Sequence, residues 1–481
     1  MKTAVIKLLP LYKKANFADI TKMIILVCIF LLFNISLKSQ TVNPFGNPLI
    51  PDMIADASIQ EIDGTFYCYA TTDGYDRGLE TSGPPVVWKS KDFVHWSFSG
   101  YYFPSAVGQK YWAPSKAVAA NGKFYIYPTV NGFMYPAVSD SPDGPFKLAV
   151  GTDSFFLPFT PSTLLKSRNP KGPAGIDAEI FIDDNKQAYV FWQRRMAARL
   201  NADMITVDTS MITIPTPQKG YSEGPIFFKR KGIYYYLYTL GGDEKYQYAY
   251  VMSKISPLGP FDFPEDDIVA TTNYERRIFG PGHGCVFNVP GTNNYYFAYL
   301  EYGRGSTNRQ TYVNKLEFNE DGTIHPVDLT LTGVGALHTV PQDRKIVVVN
   351  SAASSIHPDQ NIKPRKDTLL RRTESFMPQF AFDGANGSRW MAGNEDSVCL
   401  IMADLGKSQK IRRSEVYFVR PTAGHAYTLE YSTDGKIWKL CGGHPDLKIQ
   451  SPHTDSLTIK ARYLRVKITK GVKGIWEWNI Y

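Results

Sequence analysis

Neither a CxxC pair nor an HExxH motif occurs in the 481 residues, so the ligand spacing of a structural zinc or zincin site is missing. No nucleic-acid-binding motif accompanies the formal charge of +8, which has to be explained by where the charges sit. Long apolar runs are wanting too: the stretch 23–33 has eleven residues, against the roughly 20 that span a bilayer. Charged residues make up only 20% against 43% apolar, which excludes a disordered chain.

The apolar run lies in a basic setting. Residues 1–40 hold six lysines against the single Asp19, a net +5, and this pattern reads as a secretory signal and a secreted or periplasmic mature chain. A retained N-terminal anchor is the structural alternative. Cys28 falls inside the run, but the bulk of Val27 before it argues against a lipoprotein cleavage site. Four of the five cysteines then remain, Cys68, Cys285, Cys399 and Cys441. Their even number permits disulfides, and their apolar surroundings suit buried thiols equally well.

Aromatic residues are plentiful at 14%, with 30 Tyr, and 38 Gly and 32 Pro favour strands joined by tight turns. An aromatic-x-x-aromatic run begins at Phe66, Phe124, Tyr189, Tyr235 and Tyr296, in steps of 58, 65, 46 and 61 residues. Turn pairs precede four of them: Asp63-Gly64, Asn121-Gly122, Lys231-Gly232 and Asn293-Asn294. Ser141-Pro-Asp-Gly-Pro-Phe146 returns as Ser256-Pro-Leu-Gly-Pro-Phe261. One four-stranded unit cannot bury both faces alone, so the period predicts an all-β fold, a five-bladed β-propeller closed around a channel. The composition changes after about residue 340. Residues 41–350 carry 27 basic and 31 acidic side chains, net −4, whereas residues 351–481 carry 20 and 13, net +7. Short strand-like runs at 414–419, 427–431 and 463–468 predict a β-sandwich there, giving a signal over 1–40, a propeller over 41–340 and a sandwich over 341–481.

Three acids precede apolar strands of the first domain: Asp56 in Ile54-Ala-Asp-Ala-Ser-Ile59, Asp177 in Gly175-Ile-Asp-Ala-Glu-Ile-Phe181, and Glu223 in Tyr221-Ser-Glu-Gly-Pro-Ile-Phe227. In a propeller such positions converge on the axis, where burial and like charge raise the pKa of at least one member. With Asn47-Pro-Leu-Ile-Pro51, Trp112-Ala-Pro-Ser115, Gly280-Pro-Gly-His-Gly284 and Asn319-Glu-Asp-Gly-Thr-Ile324 in this order, the chain resembles glycoside hydrolase family 43 over most of residues 44–335. The resemblance implies that Asp56 is the general base, Glu223 the general acid and Asp177 the residue that orients and tunes the acid. Alanines 57 and 178 stand where that family often has proline. It further implies a sugar platform at Trp112, an arginine reaching the terminal sugar at Arg309, and His283 near the axis. No cofactor is required for the chemistry, but a structural calcium or other ion near His283 would accord with the resemblance. Glu179, Asp183 and Asp184 read as turn or rim acids.

The later segment resembles the discoidin-like (factor 5/8 type C) sandwich through Ala381-Phe-Asp-Gly384, Ser388-Arg-Trp390, Ala403-Asp-Leu-Gly406, Tyr431-Ser-Thr-Asp-Gly435 and Ala461-Arg-Tyr-Leu-Arg465, with Trp390 and Trp438 read as core. The expected activity is inverting hydrolysis releasing a terminal furanosyl or xylosyl residue, by an α-L-arabinofuranosidase or β-xylosidase, from a plant-type polysaccharide or oligosaccharide. An endo-arabinanase, a galactofuranosidase and a non-catalytic glycan-binding propeller are the alternatives. Neither a nucleic-acid partner nor a membrane span in the mature chain is expected.

Overall fold

Each aromatic run begins the second strand of an antiparallel sheet, and five such sheets follow one another along the chain. These observations come from a computed structural model that describes residues 46–73, 82–106, 108–149, 175–208, 211–302, 309–364 and 368–481. The expected signal segment lies outside them. The first sheet runs Ile54–Ile62, Thr65–Thr72, Val86–Ser90, Trp96–Tyr101; the second Val118–Ala120, Lys123–Ile126, Ala137–Ser139, Lys147–Leu148. The third comprises Glu179–Ile182, Ala188–Trp192, Met196–Arg199 and Ile212–Thr213, and the fourth Ile226–Arg230, Ile233–Leu240, Gln247–Ser253 and Ile268–Ala270. The fifth has three strands, Gly282–Asn288, Tyr295–Glu301 and Gln310–Leu316. The chain is therefore an all-β protein whose larger part is a five-bladed propeller.

The turn chemistry explains the hairpins. Asp63-Gly64, Asn121-Gly122 and Lys231-Gly232 all take positive φ at both positions, as a two-residue hairpin turn demands. The fifth turn differs from expectation: it sits at Pro290-Gly291, with Gly291 at φ +77°, and Asn293-Asn294 leads straight into the strand. The repeated Ser-Pro-x-Gly-Pro-Phe phrase is one device used twice. It joins the third strand to the outer strand in the second and fourth blades, closing a turn from Ser141 to Gly144 and from Ser256 to Gly259 and burying Phe146 and Phe261.

Aromatic faces fill the gaps between blades. Phe191 stacks on Phe227 at 4.0 Å, Tyr248 meets Phe297 edge-on at 5.5 Å, and Phe93 lies 5.3 Å from Phe287. Polar ties join neighbouring blades around the ring: Gln60 to the Ala117 carbonyl (2.6 Å), Lys116 to Glu179 (2.6 Å), Lys229 to Asp183 (2.7 Å), and the Ile59 amide to Cys285 Sγ (3.1 Å). Glu179, Asp183 and Asp184 thus serve as ion-pair partners between blades. The free edge of the fifth blade is covered by the segment before the first: the Leu49 amide donates to Thr311 O (2.8 Å), and the Asn47 side chain bonds Val313 on both its amide and carbonyl (2.7 and 3.0 Å). This closure removes the edge-strand hazard. All four described cysteines are free thiols.

The strand-like runs of the later segment lie inside longer strands, Leu400–Phe418, His425–Ser432 and His453–Lys470, of one seven-stranded sheet. Register shifts at Asp404/Gln409 and Ile411/Arg413 let the two longest strands bend over a core that includes Trp390, Ile401, Phe418, Leu464 and Trp478. Trp390 is core as expected, whereas Trp438 is half-buried beneath the Arg465 guanidinium. Met53, just before the first blade, packs with Tyr417, Val419 and Trp476 of the sandwich. Among the described residues no helix is long and apolar enough to cross a membrane.

Candidate active site

Asp56 sits on the first strand of the first blade at a bulge, where the register with the second strand shifts between Ala55 and Ser58 and its own φ is +50°. The bulge re-aims the side chain out of the strand's alternation. Arg309, immediately before the third strand of the fifth blade, meets it as a fork: Nη1 to Oδ1 and Nη2 to Oδ2, both 3.1 Å. The same guanidinium binds Asp73 at the end of the second strand, with Nη2 to Oδ1 at 2.9 Å and Nε to Oδ2 at 3.1 Å, while the Arg309 amide donates to Asp73 Oδ2 at 2.8 Å. All three side chains are buried. Burial raises the Asp73 carboxyl and Arg309 opposes that rise. A carboxylate offers about four lone-pair positions. The fork takes two of those on Asp56 and leaves two open.

Glu223 lies three residues before the first strand of the fourth blade. Its amide donates to Thr239 Oγ1 (3.0 Å), and the Thr239 hydroxyl returns a bond to Glu223 O (2.7 Å), which fixes the main chain. Two phenols reach the carboxyl group. Tyr221 donates to Oε2 at 3.0 Å, and Tyr246 donates to Oε1. Burial, reinforced by the Glu223 charge, raises both phenols above their ordinary range, so both remain donors at neutral pH.

Asp177 links the two sides. Its φ of +63° is a left-handed geometry that Asp tolerates better than bulkier residues. Its amide donates to Thr129 Oγ1 (3.2 Å), and its Oδ2 accepts the amide of Gly224, next to Glu223 (3.1 Å). Burial first, then the charges of Glu223 and Asp56, holds the Asp177 carboxyl well above the usual carboxylate range. Gly224 stands at φ +55°, and a Cβ there would come within 2.8 Å of the His283 ring. Both facts explain the Glu-Gly-Pro motif.

His283 lies on the first strand of the fifth blade, with Nδ1 3.7 Å from Asp177 Oδ2 and 4.0 Å from Asp56 Oδ1. Burial lowers its pKa, chiefly against the pull of Asp56, so it stays neutral at pH 7. The glycines around it are points of close approach: a Cβ on Gly280 would meet Asp243 O at 2.3 Å, on Gly282 the Tyr246 ring at 2.8 Å, and on Gly284 Ala298 O at 2.0 Å. Among the described residues no three His, Cys, Asp or Glu side chains group so as to hold a metal ion.

The structure brings Asp56, Asp177, Glu223, His283 and Arg309 together. Trp112 is placed less directly, on the short strand Tyr111–Trp112, where it pairs with Thr129, the residue that receives the Asp177 amide. Its half-buried ring has the Lys110 ammonium 5.9 Å from the centroid. Four of the five N–H donors of Arg309 go to the two aspartates, which leaves one for a sugar. Sequence reasoning missed Asp73, Tyr221 and Tyr246. Tyr221 was recoverable, because residues i and i+2 of an extended segment share a face.

Residues 45–324 match the glycosyl hydrolases family 43 profile, and residues 366–480 the F5/8 type C domain. The chain belongs to glycosyl hydrolases family 43. A solved structure described as a glycoside hydrolase is 71% identical, with a TM-score of 0.86 over 91% of this chain and all of that one. A family 43 protein from Bacillus licheniformis, 16% identical with a TM-score of 0.50 over 91% of this chain and all of its own, shares the fold. A β-D-galactofuranosidase of Aspergillus niger is 28% identical over 60% of this chain and 86% of its own length. An arabinoxylan arabinofuranohydrolase of Bacillus subtilis is 29% identical over 60% of this chain and 65% of its own. This family 43 member is accordingly a glycosidase.

Proposed function

We propose that this glycosidase is an inverting, exo-acting enzyme that removes a terminal furanosyl or xylosyl residue from plant-type polysaccharide, with α-L-arabinofuranosyl the leading candidate. The observation that carries this reading is the gradient of burial across the site. Asp56 and Asp177 are 6% and 5% exposed, Glu223 is half-buried, and Tyr221 above it is 54% exposed. A base on the floor and an acid near the mouth suit a pocket that takes one sugar inward and releases the remainder outward. Water on the floor attacks the anomeric carbon and gives its proton to Asp56. The bond from that carbon to the glycosidic oxygen breaks, and the oxygen leaves with the proton of Glu223 through an oxocarbenium-like transition state.

The likeness to a β-D-galactofuranosidase over 86% of that enzyme favours galactofuranose as a second sugar. Rates on 4-nitrophenyl α-L-arabinofuranoside, β-D-xyloside and β-D-galactofuranoside decide between them, with product length at early times separating exo from endo action. If the wild type and Glu223→Gln are equally inert on these and on natural oligosaccharides yet bind glycan, the catalytic reading fails. Secretion through residues 1–40 is part of this proposal, and N-terminal sequencing of exported protein tests it. An axial ion stays outside the mechanism; elemental analysis of the purified protein tests for one.

A further inference from the structure

Both oxygens of the Glu223 carboxyl group are occupied by phenols, Oε2 by Tyr221 and Oε1 by Tyr246. A general acid must bring one oxygen, with its proton, within about 2.6–3.2 Å of the glycosidic oxygen. The phenol on that oxygen competes with the glycosidic oxygen for the same approach, and the surroundings decide which of the two phenols gives way. The Tyr246 ring is wedged against Gly282, lies 6.0 Å from the Tyr302 ring and packs with Ala55, Leu300 and Tyr302. Tyr221 has its ring largely in solvent, and its hydroxyl oxygen lies 3.4 Å from Gln193 Oε1.

We infer that Tyr221 is a displaceable cap on the acid and a polar element of the leaving-group subsite. The glycosidic oxygen replaces its hydroxyl at Glu223 Oε2, and the freed hydroxyl, beside the Gln193 amide, bonds a hydroxyl of the departing sugar. Tyr246 stays in place and holds the other oxygen. Tyr221 then distinguishes a glycosyl leaving group, which offers hydroxyls, from an aryl one, which does not. This inference rests on Glu223 being the general acid.

The test compares wild type with Tyr221→Phe on two probes, an α-L-arabinofuranosyl-branched xylotriose and 4-nitrophenyl α-L-arabinofuranoside, or the galactofuranosyl pair if that is the sugar released. The variant should lose about tenfold in kcat/KM on the oligosaccharide, the worth of one hydrogen bond, and less than about twofold on the aryl glycoside. An unchanged ratio of the two probes in Tyr221→Phe, with thermal melting matching wild type, overturns the inference. Glu223→Gln keeps the readings separable: if it loses as much on the aryl glycoside as on the oligosaccharide, Glu223 is not the acid, and the functional reading falls whatever Tyr221 does.

Discussion

The two halves of the site hold a carboxyl group in opposite ways. Asp56 is buried and gripped by charge, through a guanidinium that Asp73 holds from behind. Glu223 is half-buried and held by two neutral phenols. A guanidinium can only donate, so its fork suits a group whose outward lone pairs must face water in one direction. A phenol both donates and accepts, so it serves an acid in either protonation state. Under the proposed assignment, the difference means that the base is built for position and the acid for proton transfer.

Breaking each half should give different substrate dependence. Asp56→Asn should lower kcat by about 10³-fold or more on every substrate, since water activation is needed whatever leaves. Glu223→Gln should cost as much on oligosaccharides and far less on 4-nitrophenyl glycosides, whose leaving group needs little protonation; steady-state kinetics on both classes reads the split. Next in size is Arg309→Lys, which keeps a charge and loses the fork. It should lower kcat about 10- to 100-fold with KM little changed, and a loss confined to KM would instead mark Arg309 as mainly a sugar ligand. Asp73→Asn should follow with about a tenfold fall in kcat, because its amide cannot replace both carboxylate contacts to Arg309. Smallest on catalysis and clearest on stability is Gly224→Ala. A positive φ costs a side-chain-bearing residue about 1 kcal/mol, and the added Cβ presses on His283, so calorimetry should show a Tm lower by a few degrees.

Much of this arrangement was legible in the sequence because propellers repeat. The aromatic runs marked the second strand of every blade, and three turn pairs fixed hairpins through positive φ. The acids were legible because each stands just before or at the start of an inner strand. Asp73 was not, since it ends the second strand of its blade and its meaning comes from Arg309, 236 residues away. Tyr246 was hidden for a similar reason: the space for its ring is made by Gly282, on a different blade. The fifth turn was misplaced because an Asn-Asn pair carries the same local preference as the Pro-Gly turn that precedes it. Local chemistry writes turns and strands, while the partners that position a catalytic side chain come from chain closure.

The measurement that bears most directly on the division between base and acid is the configuration of the first product, followed by proton NMR in the first minutes of hydrolysis. With Asp56 delivering water from the floor and Glu223 releasing the leaving group at the mouth, the new anomeric signal should have the configuration opposite to that of the substrate. A first product of retained configuration would mean that a carboxylate attacks the sugar, and the account of the two halves would be wrong.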